Sequence, residues 1–148
     1  SYPADAQTER LGFKVLWDAR KEVAYPSMSV VTRRKYVSEE RDTVMRMMKA
    51  HVEAIHFLKA NKEASLKILS KYLKTTEREL LDGSYEIYRS DFISVPYPIT
   101  HALQATYEYV AIQRPEVWKH KPEAFMDASF IAELDKNGFI ARLSEAGR

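Results

Sequence analysis

Two short segments near the start of the chain have the pattern of β-strands, and no later segment supplies a sheet for them. The first lies around Gly12–Trp17 and the second around Ser27–Thr32. In the first, apolar side chains recur at every second position: Phe13, Val15 and Trp17. A pair of strands alone is only marginally stable in water. We therefore expect another polypeptide to cover this pair, either a further part of a larger fold or a second copy of the chain.

The chain after Arg33 has the patterns of helices. The clearest is expected from Ser38 to about Ala60, where apolar side chains recur at helical spacing. The other expected helices are Ala4–Leu11, one after Asn61, one after Thr76, Ile99–Gln113, Pro122–Met126, Ser129–Lys136 and Phe139–Leu143. The predicted fold class is therefore mainly α with a small β element of two strands near the N-terminus.

Composition limits the classes of function. The chain has 148 residues with a net charge of +2, which argues against nucleic acid as the main partner because such proteins usually carry a concentrated basic face. Its one basic cluster, Arg33–Lys35, is interpreted as a solvated turn, with a phosphate contact as the alternative. No cysteine is present, so disulfides and thiol catalysis are excluded. No apolar run approaches the ~18 residues needed to span a bilayer, so no membrane insertion is expected.

The residues that usually carry catalysis do not form a recognisable motif. His51 and His56 are five positions apart, whereas a helical zinc pair needs a spacing of four to bring both rings to one face. Ser27 and Ser29 have no nearby histidine that could act as a base. We therefore predict no enzymatic activity, no metal and no cofactor. An enzyme whose carboxylates come together from distant positions stays an open alternative.

Tyrosine is the one residue type in excess, with nine in the chain. A tyrosine ring offers a flat apolar face and a polar tip, which suits the recognition of small molecules. Six of them lie in or beside stretches that could surround a groove: Tyr25, Tyr85, Tyr88, Tyr97, Tyr107 and Tyr109. The alternative for each is a half-buried position on a helix face.

Five stretches, taken in order, resemble the C-terminal portion of type II periplasmic substrate-binding proteins. They are Leu11–Leu16, Tyr25–Thr32, Val52–Glu63, Leu69–Lys74 and Phe130–Ile140. The most similar branch contains the nitrate, sulfonate and taurine binders and the thiamine-pyrimidine-synthase-like proteins. The resemblance covers nearly the whole chain, and it implies that roughly the first half of the family's length is not represented. It also implies a partial domain, with residues 1–26 from a second lobe and residues 27–148 supplying a crossover strand and helices that complete a first lobe and hinge.

The resemblance implies a periplasmic solute-binding protein of ABC-transporter type that delivers its ligand to a permease. Such a protein clamps a small organic or anionic ligand between two lobes and performs no chemistry. The residues expected to meet the ligand lie near the crossover: Tyr25 would stack on it, Ser27 would donate a hydrogen bond, and Trp17 and Asp18 would line the site. The alternative is a self-associating helical interaction module, with a homodimer as its simplest form and no ligand. The sequence does not name the ligand.

Overall fold

A computed structural model of the chain describes residues 4–18, 22–24 and 28–146. Within these residues the regular elements are helices. They are α1 (Ala4–Arg10), α2 (Arg34–Glu39), α3 (Arg41–Ala60), α4 (Lys62–Leu73), α5 (Arg78–Asp91), α6 (Gln104–Ala111), α7 (Ser129–Lys136) and α8 (Phe139–Ala146). Three short 3-10 helices lie at Thr100–Leu103, Pro115–Lys119 and Pro122–Phe125.

The long helix α3 organises the molecule because it packs against α4 at its C-terminal end and against α7 and α8 along its length. Its Val52 joins Ile131, Leu134 and Ile140 in a cluster that we call the first core, whose members are at most 2% exposed. The turn from α7 to α8 passes through Gly138 at φ +75°, a conformation that glycine adopts without steric cost.

Two further clusters lie away from the first core. The second core joins Leu66 of α4 to Leu81 and Tyr85 of α5, which pack as neighbouring helices. A smaller aromatic cluster forms where Tyr107 of α6 meets Trp118 and Phe125, with ring centroids 5.5 Å and 6.3 Å from that of Tyr107. Helix packing therefore forms the core of the described body.

The helical predictions are mostly confirmed, with differences at the boundaries. The bounds of α7 agree with the predicted Ser129–Lys136 helix. The predicted helix from Ser38 divides into α2 and α3, because Glu40 has φ −122° and ψ 39° and leaves the helical conformation. The segment predicted as one helix over Ile99–Gln113 begins as a 3-10 turn and becomes α-helical only from Gln104.

The prediction of two strands is wrong. Residues 13–17 and 28–32 form no strand, and the described part of the chain contains none. The physical reason is that a β-strand needs a neighbouring strand for its backbone hydrogen bonds, whereas a helix satisfies them internally. The alternating apolar residues at these positions favour a strand, but no described segment pairs with them.

The fold implied by the family resemblance is also corrected. A type II periplasmic-binding-protein fold contains sheets, and the described residues form an all-α arrangement instead. The proposed division of the chain at residues 26 and 27 falls at positions outside the described residues and stays a prediction.

Candidate functional site

The most unusual surface lies between α1 and α2, in a segment that we call the apolar arm: described residues 11–18, 22–24 and 28–32. Leu16 is 97% exposed and Trp17 is 64% exposed. Large apolar side chains are exposed at nine positions of the arm: Leu11, Phe13, Val15, Leu16, Trp17, Val23, Met28, Val30 and Val31. Single exposed apolar side chains are normal on protein surfaces, but nine in one short stretch of sequence make this segment a candidate interaction site.

The arm is attached at its N-terminal end by ion pairs. Arg10, the last residue of α1, donates to Glu77 Oε2 at 2.7 Å and to Glu79 Oε2 at 2.6 Å, at the start of α5. The hydrogen bond to Glu77 and the negative charge of Glu79 raise the pKa of the Arg10 guanidinium. Helix α1 buries none of its residues, so its position depends mainly on these polar contacts. Local sequence patterns do not indicate these contacts, because Arg10 and Glu77 are 67 positions apart.

The other end of the arm is attached through α2. Arg34 Nη2 donates a hydrogen bond of 2.8 Å to the carbonyl oxygen of Ala124, in the 3-10 helix beside the aromatic cluster. Arg34 belongs to the basic cluster that was interpreted as a solvated turn, and its side chain instead connects two elements. Both ends of the arm are thus held on the helical body while its apolar side chains face solvent.

The described backbone hydrogen bonds of the arm are concentrated at its start, next to α1. The last backbone bonds at the end of α1 are Leu11 to Thr8 at 3.0 Å, Gly12 to Glu9 at 2.9 Å and Phe13 to Thr8 at 3.3 Å, with the first residue of each pair donating. Gly12 has φ +89°, so it ends α1 as the sequence predicted. Beyond it, no backbone hydrogen bond joins residues 14–17 or 28–32 to another described residue.

The structure brings two of the four predicted ligand residues onto one accessible stretch. Trp17 is exposed and Asp18 beside it is half-buried. An indole face next to a carboxylate can stack on a planar ligand and accept a hydrogen bond from it. The other two predicted residues, Tyr25 and Ser27, lie outside the described residues, so their part in the site stays a prediction.

A second feature is an open depression of about 320 Å³ between α4 and α5. Arg78 on its wall is already engaged, because it binds both carboxylate oxygens of Glu63, at 3.0 Å and 2.6 Å, and donates to Asp82 at 2.8 Å. Hydrogen bonding to Arg78 is the main reason that the pKa values of Glu63 and Asp82 are lowered. A guanidinium neutralised in this way is not available for an anionic ligand, so the depression is a weaker candidate than the arm.

The tyrosines do not gather around one groove. Tyr85 belongs to the second core, Tyr107 is buried in the aromatic cluster, and Tyr97 donates to Asp135 Oδ2 at 3.0 Å. Tyr109 is exposed on α6. Apart from Tyr97, which lies between helices, the tyrosines that the structure describes lie on helices, and these positions account for the excess better than a common ligand groove does.

The surroundings of the two histidines of α3 indicate structural roles. His56 Nε2 lies 3.0 Å from the carbonyl oxygen of Ser94, while His51 is half-buried. No group of three or more His, Asp or Glu residues among those described could hold a metal ion.

Comparison with known proteins adds no relative: no protein family, curated protein or solved structure matches the chain. None of the described helices combines the length and apolar character needed to cross a membrane. Functional inference therefore depends on the arm and on the sequence itself.

Proposed function

We propose that this chain is a component of a solute-binding protein of ABC-transporter type. It binds a small organic or anionic solute reversibly and without chemistry, in the periplasm, for delivery to a permease. The observation that carries the proposal is the exposure of Trp17 beside Asp18 in the apolar arm. The resemblance of five ordered stretches to substrate-binding proteins supports the same interpretation.

The proposed site needs a second wall. A small ligand is typically about 70–90% buried in its site, whereas Trp17 and its apolar neighbours face solvent in the described molecule. The second wall comes from another polypeptide unit that packs on the arm. Hydrophobic contact between the arm and that unit would orient Trp17 and Asp18 toward the ligand.

Isothermal titration calorimetry with a set of small anions, organic acids and pyrimidines tests this function. For the monomeric chain we expect no dissociation constant tighter than about millimolar, because one open wall offers few contacts. For the assembled form we expect measurable binding that Trp17→Ala weakens. Asp18→Asn should weaken the binding of ligands that donate a hydrogen bond, because the carboxylate only accepts them. Tyr72→Ala, at an exposed position on α4, is the matched control. Micromolar binding to the monomer would contradict the need for a second wall, and unchanged binding in both arm variants would contradict the site.

A second candidate function is self-association without a ligand, and the same exposed arm favours it. An arm that exposes this many large apolar side chains is suited to contact with another chain. Light scattering over a range of protein concentrations tests this candidate. A monomer at every concentration would argue against it.

A further inference from the structure

We propose that Asn137, which precedes Gly138 in the turn between α7 and α8, is a site of deamidation through a cyclic imide, and that the packing of the first core suppresses this reaction in the folded chain. Asparagine followed by glycine favours the reaction, because glycine has no Cβ to obstruct the attacking backbone nitrogen. The other asparagine of the chain, Asn61, is followed by a lysine. The inference is independent of the ligand proposed above.

The reaction needs only the chain and water. The backbone nitrogen of Gly138 attacks Cγ of Asn137 and forms a C–N bond, and the side-chain nitrogen leaves as ammonia with the proton that the Gly138 nitrogen loses. Water then opens the cyclic imide. Breaking the new bond to Cγ gives aspartate, whereas breaking the original peptide bond gives isoaspartate, whose main chain runs through Cγ. No oxidation or reduction occurs in either step.

The Asn137 side chain is exposed to water, but the geometry of the turn is unsuited to the attack. Asn137 has ψ 4°, and closing the ring requires rotation about this bond so that the Gly138 nitrogen turns toward Cγ. Two hydrogen bonds oppose the rotation. The Gly138 nitrogen donates to the carbonyl oxygen of Asp135 at 3.1 Å, and the Phe139 nitrogen donates to Asn137 Oδ1 at 3.0 Å.

The first core extends this restraint to the tertiary structure. Leu134 of α7 and Ile140 of α8 lie on either side of the turn and are at most 2% exposed. Arg142 donates from its backbone nitrogen to the Gly138 carbonyl oxygen at 3.1 Å and from Nη1 to the Asn137 carbonyl oxygen at 3.2 Å. Rotation about ψ of Asn137 would turn α8 relative to α7 and separate these contacts. The rate of deamidation should therefore follow the population of chains in which α8 has opened from α7.

The two products have different consequences for the turn. Aspartate at position 137 can still accept the hydrogen bond from the Phe139 nitrogen, and its negative charge is favourable near the start of α8 and beside Arg142. Isoaspartate adds a methylene group to the backbone between α7 and α8, which changes the register in which Leu134 meets Ile140. A chain that has formed isoaspartate should therefore not regain the packing of the first core.

Peptide mapping by mass spectrometry tests the proposal, because the mass increases when the amide becomes a carboxyl group. We expect Asn137 to react at least about tenfold faster in guanidinium chloride than in the folded chain, with Asn61 slow in both states. Without denaturant, Ile140→Ala should speed the reaction at least about tenfold, because it shortens a buried side chain of the first core, and Ile140→Val should speed it less. Ile112→Ala is the matched control, because Ile112 is 79% exposed and lies outside the first core.

Several outcomes would overturn the proposal. Equal rates in the folded and denatured wild type would show that the turn gives no protection, and no reaction in denaturant would show that Asn137 is not a site. An Ile140→Ala variant that is less stable but keeps the wild-type rate would contradict control by the first core. If circular dichroism shows that this variant is unfolded, Ile140→Val gives the same comparison. In denaturant Gly138→Ala should react more slowly than the wild type, and an unchanged rate would exclude the cyclic imide.

Discussion

The first core and the apolar arm contain the same kinds of residues in opposite environments. Leu134 in the first core has no exposed surface, whereas Leu16 in the arm is almost fully exposed. The difference lies in the spacing of the apolar residues. In α3, α7 and α8 they recur at helical spacing and meet across helices that already satisfy their own backbone groups. In the arm they alternate, and an alternating pattern buries its apolar face only when a neighbouring strand is present.

Shortening a leucine in each region should separate them most clearly. Leu134→Ala removes a fully buried side chain and should lower the free energy of unfolding by about 2–5 kcal/mol. Leu16→Ala should change it by less than about 0.5 kcal/mol, because the side chain is exposed in the monomer. Urea denaturation under dilute, monomeric conditions measures both. Equal losses in the two variants would show that the arm packs on the body.

The two glycines with positive φ allow the same substitution, glycine to alanine, to be compared in the body and next to the arm. Gly138→Ala places an alanine at φ +75° between α7 and α8, with its Cβ 3.1 Å from Arg142 Nη1, and should cost about 1–2 kcal/mol. Gly12→Ala introduces similar backbone strain at φ +89°, where a Cβ would meet no atom within 4 Å. Because α1 buries no residue, this strain should be relieved by local fraying, with a global change below about 0.5 kcal/mol.

Thermal unfolding and amide hydrogen exchange together test the glycine prediction. Gly12→Ala should speed exchange in α1 and leave the second core protected. Loss of protection throughout the body in Gly12→Ala would contradict the separation of the arm from the body.

Acidification should have a smaller effect on the stability of the helical body. Arg78 lowers the pKa values of Glu63 and Asp82 in the folded state. Carboxyl groups with lowered folded pKa values stabilise the fold above their unfolded values near ~4, and this contribution is lost as the pH falls through the folded values. The urea midpoint should therefore drop on acidification below about pH 5, and the drop should be smaller in Arg78→Gln.

Lys67→Gln is the control for the pH experiment. Lys67 lines the same depression, and among the described residues it forms no ion pair with Glu63 or Asp82, so its variant should keep the acid sensitivity of the wild type. The side chains of Glu63 and Arg78 are more than half exposed, so the effect should also weaken in high salt. An acid response that Arg78→Gln leaves unchanged would assign it to other carboxylates.

The smallest expected effect is spectroscopic. The chain has two tryptophans, so Trp118→Phe leaves Trp17 in the arm as the only one, and Trp17→Phe leaves Trp118. Trp118 packs against Tyr107 in the aromatic cluster, with ring centroids 5.5 Å apart, whereas Trp17 has no such aromatic partner among the described residues. In dilute solution the Trp17 fluorescence should be more red-shifted and more easily quenched by acrylamide. Equal quenching of both residues would contradict the expected difference in solvent accessibility between Trp17 and Trp118.

The candidate site was only partly predictable. Trp17 and Asp18 were selected from the sequence and lie on an accessible stretch, while the hydrogen bonds from Arg10 to Glu77 and Glu79 were not foreseen. Local sequence patterns extend over a few helical turns, so they do not predict contacts between residues 67 or 69 positions apart. The strand prediction failed for a related reason. The alternation at Phe13–Trp17 is a local preference for a strand, whereas strand pairing depends on backbone that is distant in sequence.

The sequence by itself determined where helices form, because each helix makes its hydrogen bonds within one segment. The bounds of α7 and the left-handed turns at Gly12 and Gly138 follow from residues close to each position. Only the tertiary structure decided which apolar residues are buried. Val52 reaches Leu134 across α3 and α7, whereas Val15 is 59% exposed, because burial requires a second surface that local sequence does not specify.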